Sequence, residues 1–196
     1  MPTRRAAQAE QTRHEIVDVA RRLFAARGYE STTIREVAAA AGVSIQTVYD
    51  SVGPKRALVV AINEAMSRAV GSAGLMERAA AAGSVDELLA VPARIALRWV
   101  EAGGDLLRLA AATSEPALRQ MAEQGRRRHV AGVRRFTELL VERNLLRPGL
   151  DVGAAADTVA VLSDPLFVMQ LRDGHGWSAK RVEAWIIDTL RRTILV

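Results

Sequence analysis

Hydrophobic positions recur at helical spacing along almost the whole chain. In the segment Ile16–Phe24 the apolar residues follow the spacing i, i+4, i+7 and i+8, and Val182–Leu190 repeats a similar pattern near the C-terminus. Runs that alternate between apolar and polar residues, which are typical of strands, are missing. The pattern therefore predicts an all-α protein with about nine helices.

Glycine, proline and capping residues divide this pattern into separate helices. Thr33 and Glu36 have the spacing of a capping box, and Ser44 and Ser178 stand where N-caps are expected. The predicted helices cover about 12–27, 33–41, 44–52, 54–73, 84–102, 105–113, 116–144, 151–172 (kinked at Pro165) and 178 onward. We predict two domains: a three-helix N-terminal helix-turn-helix domain at 1–55, and a larger C-terminal helical bundle at 56–196 that carries ligand sensing and dimerisation.

Residues 31–55 have the pattern of two short helices joined by a tight turn. The turn Ala41-Gly-Val-Ser44 has the length and the glycine of a helix-turn-helix, whose second helix lies in the DNA major groove. That second helix is about two turns long, buries Val48 and leaves mostly polar residues outside. A purely structural helix this short would gain little by standing alone. The sequence therefore favours DNA binding, and the alternative is an ordinary pair of packed helices.

Composition changes this picture mainly by exclusion. The chain has 196 residues, of which 49% are hydrophobic, so it is long and apolar enough for a sizeable core. It has no cysteine, which excludes disulfides, thiolate zinc sites and a cysteine nucleophile. The three histidines stand on different elements without metal-ligand spacing, and no catalytic triad order or glycine-rich phosphate loop is present. We expect no enzymatic activity, no cofactor and no metal.

The charge supports nucleic-acid binding only weakly, and the hydropathy argues against a membrane span. Residues 1–56 carry nine basic and six acidic side chains, and the whole chain has a net charge of +5. The basic excess at the N-terminus suits phosphate contact, although the preference for arginine over lysine is also explained by genome composition alone. No apolar run reaches the about 18 residues of a membrane span, and no signal segment is present, so we expect a cytoplasmic protein.

The segment Thr33-Ile-Arg-Glu-Val-Ala-x-x-Ala-Gly-Val-Ser44, followed by Thr47-Val-Tyr49, Lys55 and Leu58, resembles the TetR family of transcriptional regulators. Phe24 and Gly28-Tyr29 fit the end of the family's first helix. The specific resemblance covers roughly residues 12–66, whereas the rest matches the family only in its number and length of helices. Val52 departs from the pattern, because many members carry an aromatic residue there.

The resemblance implies roles in DNA binding for eight residues. Thr33, Tyr49 and Lys55 would contact phosphates. Arg35 would reach a base edge, since its guanidinium matches guanine, and Gln46 would pair with adenine. Ile45 would touch a thymine methyl group, and Ser44 and Thr47 would complete the face of the second helix toward the groove.

Three of these roles have structural alternatives. Arg35 would instead pair with a carboxylate of its own chain. Tyr49 would instead lie half-buried in the core. Ser44 would serve only as an N-cap.

The resemblance also implies a homodimer in which the last two helices of both copies form a four-helix interface. The predicted interface residues follow the apolar stripes of those helices: Ala155, Val159, Leu162, Leu166, Val182, Trp185, Ile186, Thr189 and Leu190. Two recognition helices on half-sites about 34–36 Å apart bind more tightly than one and require a palindrome. The alternative is that these stripes only close the core of a single chain.

A small-molecule pocket inside the fourth to eighth predicted helices is implied by the family as well. The candidate lining residues are Trp99, Leu106, Leu109, Met121, His129, Phe136, Phe167 and Met169, for each of which ordinary core packing is the simpler interpretation. We therefore expect a dimeric repressor released from a palindromic, double-stranded DNA operator by a small apolar or amphipathic effector. The alternative is a helical partner-binding or architectural DNA-binding protein without a ligand.

Overall fold

The computed structural model describes residues 4–81 and 83–196 and confirms the all-α class, with ten α-helical segments among these residues. The helices are α1 (Arg4–Arg27), α2 (Ile34–Ala40), α3 (Ile45–Ser51), α4 (Lys55–Val70), α5 (Ser72–Ala81), α6 (Val85–Ala112), α7 (Pro116–Glu142), α8 (Val152–Leu162), α9 (Pro165–Met169) and α10 (Ala179–Ile194). A π-helical turn, Gln170–Gly174, follows α9 directly. The described residues contain no strand, only an isolated bridge between Leu146 and Leu195.

Helix α1 is longer than its hydrophobic stripe predicts. It is helical from Arg4 instead of about Thr12, because residues 4–11 are mainly alanine, arginine, glutamine and glutamate, which favour helix without forming an apolar face. Ile16, Ala20 and Phe24 are fully buried. The helix ends where Gly28 adopts a positive φ of 86°, as its position after Arg27 predicts.

The region after α3 corrects one predicted helix. We expect a single helix over 54–73, but α4 ends at Val70 and a separate α5 begins at Ser72. Gly71 lies between them with a φ of 58°, in the left-handed region that commonly ends a helix.

Two predicted breaks are seen in the long helices. In α6, Gly103 has non-helical backbone angles, which matches the break expected at Gly103-Gly104. The kink expected at Pro165 is a full interruption: α8 ends at Leu162, and the Asp164 side chain caps α9, whose first residue is Pro165.

The described residues form two compact units. The first consists of the described residues of Met1–Arg68 together with Asp105–Glu123. Inside this unit, Arg21 on α1 pairs with the carboxylate of Asp105 at 3.0 Å, and Leu106, Leu118 and Met121 are buried.

The second unit consists of the described residues of Ala69–Gly104 together with Gln124–Val196. Its core is formed by residues of α5 to α10 and of the π-helical turn, including Leu88, Phe136 and Ile186. Within the described residues, no single helix is long and apolar enough to cross a membrane. One pair, α8 with the bent continuation Pro165–Gly174 at an angle of 42°, passes that test only when both parts are counted together. The predicted domain division at residue 55 stays a prediction.

Candidate nucleic-acid interface

A capping box defines the start of α2. The Thr33 backbone N–H donates to Glu36 Oε2 at 2.7 Å, and Thr33 Oγ1 accepts from the Glu36 backbone N–H at 3.2 Å. The bond from the Thr33 backbone, supported by the Thr33 hydroxyl and by Arg27 at 3.2 Å, lowers the pKa of Glu36. The capping bonds at the start of α2 therefore favour the ionised carboxylate of Glu36.

The turn between α2 and α3 has the predicted geometry. Gly42 has a φ of 66°, and the Val43 N–H donates to the Ala38 carbonyl at 3.0 Å. Ser44 then caps α3, since its Oγ accepts from the Thr47 N–H at 3.0 Å and pairs with the Thr47 hydroxyl at 2.7 Å. The capping alternative for Ser44 is thus observed, and it leaves the exposed Ser44 available to a second partner.

Helix α3 has seven residues and one fully buried side chain, Val48. Ile45 is 41% exposed and Tyr49 is 48% exposed, while Gln46 and Asp50 lie on the surface as well. Tyr49 is therefore about half covered by the chain, and its phosphate role stays a prediction. An outer face that combines exposed apolar and polar side chains on so short a helix matches what groove reading requires.

Arg13 holds the other end of α3. Its Nη1 donates to the Ser51 carbonyl at 2.5 Å, across 38 residues of sequence. A guanidinium at a helix C-terminus satisfies a carbonyl that has no partner within the helix and favours the helix dipole. Sequence reasoning missed Arg13, because nothing in the spacing of α1 indicates a contact with so distant a carbonyl.

Lys55 is held at the start of α4. Its Nζ donates to the Glu30 carbonyl at 3.2 Å and lies 4.2 Å from the centroid of the Tyr29 ring. Tyr29 packs on Phe24 with 5.1 Å between ring centroids. Burial raises the pKa of Tyr29, and the Glu115 carboxylate adds to the shift against the opposing effect of Arg56. Tyr29 is a second positioning residue that the sequence analysis did not identify.

Arg35 and Thr33 complete the predicted set on α2. Arg35 is exposed, and its side chain forms no ion pair or hydrogen bond with the part of the chain that the structure describes. The carboxylate-pairing alternative for Arg35 is therefore not observed. Thr33 is exposed at the N-cap of α2.

The predicted pocket residues are divided between the two compact units. Leu106, Leu109 and Met121 belong to the first unit, whereas Trp99, His129, Phe136, Phe167 and Met169 belong to the second. Phe136 and Leu106 are fully enclosed, as ordinary core residues are. His129 Nε2 is hydrogen-bonded to the Ala160 carbonyl at 2.9 Å. Their role in ligand binding stays a prediction.

The predicted dimer residues differ in exposure. Six of the nine are buried in the core of the single chain: Ala155, Val159, Leu162, Val182, Ile186 and Leu190. Their role in a dimer stays a prediction. Leu166 is 44% exposed, and Trp185 and Thr189 are partly exposed.

A short, capped second helix with an exposed face, placed directly after a tight turn, defines a helix-turn-helix DNA-binding protein. Among the described residues, no group of three histidine, aspartate or glutamate side chains is arranged to hold a metal ion.

Comparison with known proteins gives the family. Residues 16–62 match the family model "Bacterial regulatory proteins, tetR family". Residues 16–62 therefore carry the N-terminal DNA-binding domain of this family. No curated protein sequence matches the chain significantly.

Solved structures share the fold over the whole chain. A TetR-family transcriptional regulator from Mesorhizobium loti is 23% identical, with a TM-score of 0.73 and full coverage of both chains. The SmeT–triclosan complex is 21% identical with a TM-score of 0.77, covering 95% of this chain and 92% of SmeT. NalD, the secondary repressor of the MexAB-OprM multidrug efflux pump in Pseudomonas aeruginosa, is 22% identical with a TM-score of 0.74, covering 96% of this chain and 98% of NalD.

Proposed function

We propose that the chain is a repressor of the TetR family that binds a palindromic operator as a homodimer and leaves it when a small apolar or amphipathic ligand binds. The observation that carries the proposal is the outer face of α3, on which Ile45, Gln46 and Tyr49 are exposed while Val48 alone anchors the helix in the core. Such a regulator acts on genomic DNA in the cytoplasm and needs no cofactor and no catalytic residue.

We assign the contacts with DNA by chemistry. Lys55, Tyr49 and Thr33 bind phosphates, which position the domain on the duplex without reading its sequence. Arg35 and Gln46 read bases, because a guanidinium matches guanine and a primary amide matches adenine. Ile45 packs on a thymine methyl group, and Ser44 and Thr47 lie beside it at the start of α3.

The dimer surface proposed here is the exposed side of the last helices. Phe167 and Trp185 have ring centroids 6.2 Å apart, and Trp177 lies edge-on to Trp185 at 5.7 Å. The accessible residues of the predicted set, Leu166 and Thr189, neighbour this aromatic cluster in sequence. Partly exposed aromatic side chains are enriched at the centres of protein interfaces, which supports this choice over the buried stripes.

The ligand is the least constrained element of the proposal. The structural neighbour SmeT was solved with triclosan, a small-molecule complex in a chain of the same fold. In the present chain, the half-buried Trp99 has the Arg128 guanidinium 5.5 Å from its ring centroid. A ligand that prefers the conformation unable to span both half-sites lowers operator affinity by no more than its preference between the two conformations.

Selection of bound fragments from random double-stranded DNA tests the function. We expect enrichment of a palindrome with half-sites about one helical turn, or a multiple of it, apart, and a mass of two chains per bound duplex. A complex without sequence preference would instead support an architectural protein, and no DNA binding would support a helical partner-binding protein. A thermal-shift screen of a small-molecule library, followed by release from the selected site, tests the effector.

The phosphate role of Lys55 gives a sharper test. Replacing Lys55 by alanine should weaken binding to all sequences alike and reduce the slope of log K against log salt by about one unit. Lys180→Ala is the matched control, since Lys180 is the other lysine of the chain and lies exposed on α10. Titrations at several salt concentrations measure both slopes, and an unchanged slope for Lys55→Ala would contradict the phosphate contact.

A further inference from the structure

The two outermost side chains of α3 are joined by a hydrogen bond. Gln46 Nε2 donates to Asp50 Oδ1 at 2.7 Å, one helical turn further along. Successive residues of a helix are rotated by about 100°, so Gln46 and Asp50 flank the direction opposite the buried Val48. They are the side chains that a duplex lying against α3 would meet first.

A carboxylate in this position needs an explanation. Asp50 is exposed on the face that approaches the phosphates of DNA, whose negative charge repels it. In the major groove a carboxylate can accept only from a base amino group, and its usual partner is the amino group of cytosine. Here one oxygen of Asp50 already accepts a hydrogen bond from Gln46, which gives the carboxylate a role inside the protein.

The bond restricts the amide of Gln46. One of its two N–H groups is directed to Asp50, which leaves the second N–H and the carbonyl oxygen for the duplex. Adenine presents an acceptor, N7, beside a donor, the N6 amino group, and this pair matches the remaining donor and acceptor of the amide. An amide free to rotate would also meet bases that present other combinations.

We propose that Asp50 is a positioning residue that orients Gln46 toward adenine in the operator and that its charge weakens binding to unselected DNA. The inference rests on the operator-binding function proposed above. It adds a residue that decides specificity without contacting a base.

Selection from random DNA with four proteins tests the proposal: wild type, Gln46→Ala, Asp50→Ala and Asp50→Asn. We expect Gln46→Ala to lose the preference for adenine at one base pair, about ten- to a hundredfold for a bidentate contact. Asp50→Ala should lose the preference at the same base pair. Asp50→Asn should keep it, because the asparagine carbonyl still accepts from Gln46.

Binding to scrambled duplex measures the charge of Asp50 separately. Both Asp50 variants should bind scrambled DNA roughly fivefold more tightly at low salt, and the gain should shrink as salt rises. Glu15→Gln, which removes an exposed carboxylate from α1, is the matched control and should change this binding less. Equal binding by wild type and both Asp50 variants would overturn the role of the charge.

Three outcomes would overturn the orienting role. Asp50→Ala with unchanged adenine preference, or with a loss at a different base pair, would show that Gln46 is not set by Asp50. In NMR spectra of the free protein, the side-chain amide resonances of Gln46 should shift in Asp50→Ala and lie near their wild-type positions in Asp50→Asn. Resonances that do not shift in Asp50→Ala would also overturn the orienting role. A wild-type protein that selects no sequence would instead overturn operator binding itself, whatever the Gln46 resonances show.

Discussion

Helices α3 and α10 begin in the same way and are held in different ways. Ser44 caps α3 by accepting from the Thr47 N–H at 3.0 Å, and Ser178 caps α10 by accepting from the Arg181 N–H at 3.2 Å. Beyond the cap, α3 buries only Val48 fully, whereas α10 has four buried side chains: Val182, Ile186, Leu190 and Ile194. Helix α10 is stabilised by burial. Helix α3 depends on its cap, one valine and Arg13, which leaves its outer face available for a partner.

The largest effect is expected in the core of α10. Ile186→Ala should lower the free energy of unfolding by about 2–5 kcal/mol, because it removes a fully buried side chain and leaves a cavity. Denaturant unfolding measures the loss, and the base preference of the folded fraction should not change. Val161→Ala, at a side chain that is 61% exposed, is the control and should stay within about 0.5 kcal/mol. A small loss for Ile186→Ala would mean that α10 does not depend on burial.

The second test removes the hydrogen bond between Arg13 and the C-terminal end of α3. Arg13→Ala removes a charge-assisted, partly buried hydrogen bond to the Ser51 carbonyl, worth about 1.5–3 kcal/mol. The α3 amides should exchange with solvent faster, and affinity should fall for every DNA sequence. Arg22→Ala, which removes an exposed arginine paired with Asp18 on the same helix, should change stability by less than about 1 kcal/mol. If α3 amide exchange is the same in both variants, Arg13 does not hold the helix.

Removing the serine cap of each helix in turn compares α3 and α10 directly. Ser44→Ala and Ser178→Ala each remove one cap bond and should cost about 1 kcal/mol. Ser44→Ala should make the α3 amides exchange faster and should lower operator affinity in DNA titrations. Ser178→Ala should lower only the overall stability. Threonine at either position retains the hydroxyl and serves as the conservative control. Equal loss of operator affinity in both alanine variants would show that α3 is no more dependent on its cap than α10.

The smallest effect concerns the pH dependence of α2. Because the folded-state pKa of Glu36 lies below its ordinary value of 4.5, the bond to Thr33 stabilises α2 above that value. The contribution is lost as the pH falls through the lowered pKa. Glu36→Gln keeps an acceptor but does not titrate, so amide exchange of α2 should depend less on pH between about 5 and 3. Glu30→Gln, at an exposed carboxyl in the preceding turn, is the control and should leave this dependence unchanged.

The DNA-binding region could be predicted almost in full because its signals are local. The capping box at Thr33, the positive φ of Gly42 and the cap at Ser44 all involve residues within a few positions of each other. The burial of Val48 follows from the same short pattern. Arg13 and Tyr29 could not be predicted, since each acts on a residue that only folding brings near.

The last helices were predicted in their positions but not in their orientation. The spacing in Val152–Leu162 and Ala179–Ile194 identifies an apolar stripe, yet the same stripe would serve a partner chain or the chain's own core. Ile186 and Leu190 are buried within one chain, whereas Leu166 and Trp185 are exposed at least in part. The dimer surface proposed above therefore uses the exposed side chains.

The sequence by itself determined where most helices begin and end and which residues form the outer face of α3, because caps, glycines and a single buried valine act over a few residues. Only the tertiary structure decided which face of α10 is covered and which arginine closes α3. Those contacts join positions as distant as Arg13 and Ser51, and helical periodicity specifies a face but not the surface against which it packs.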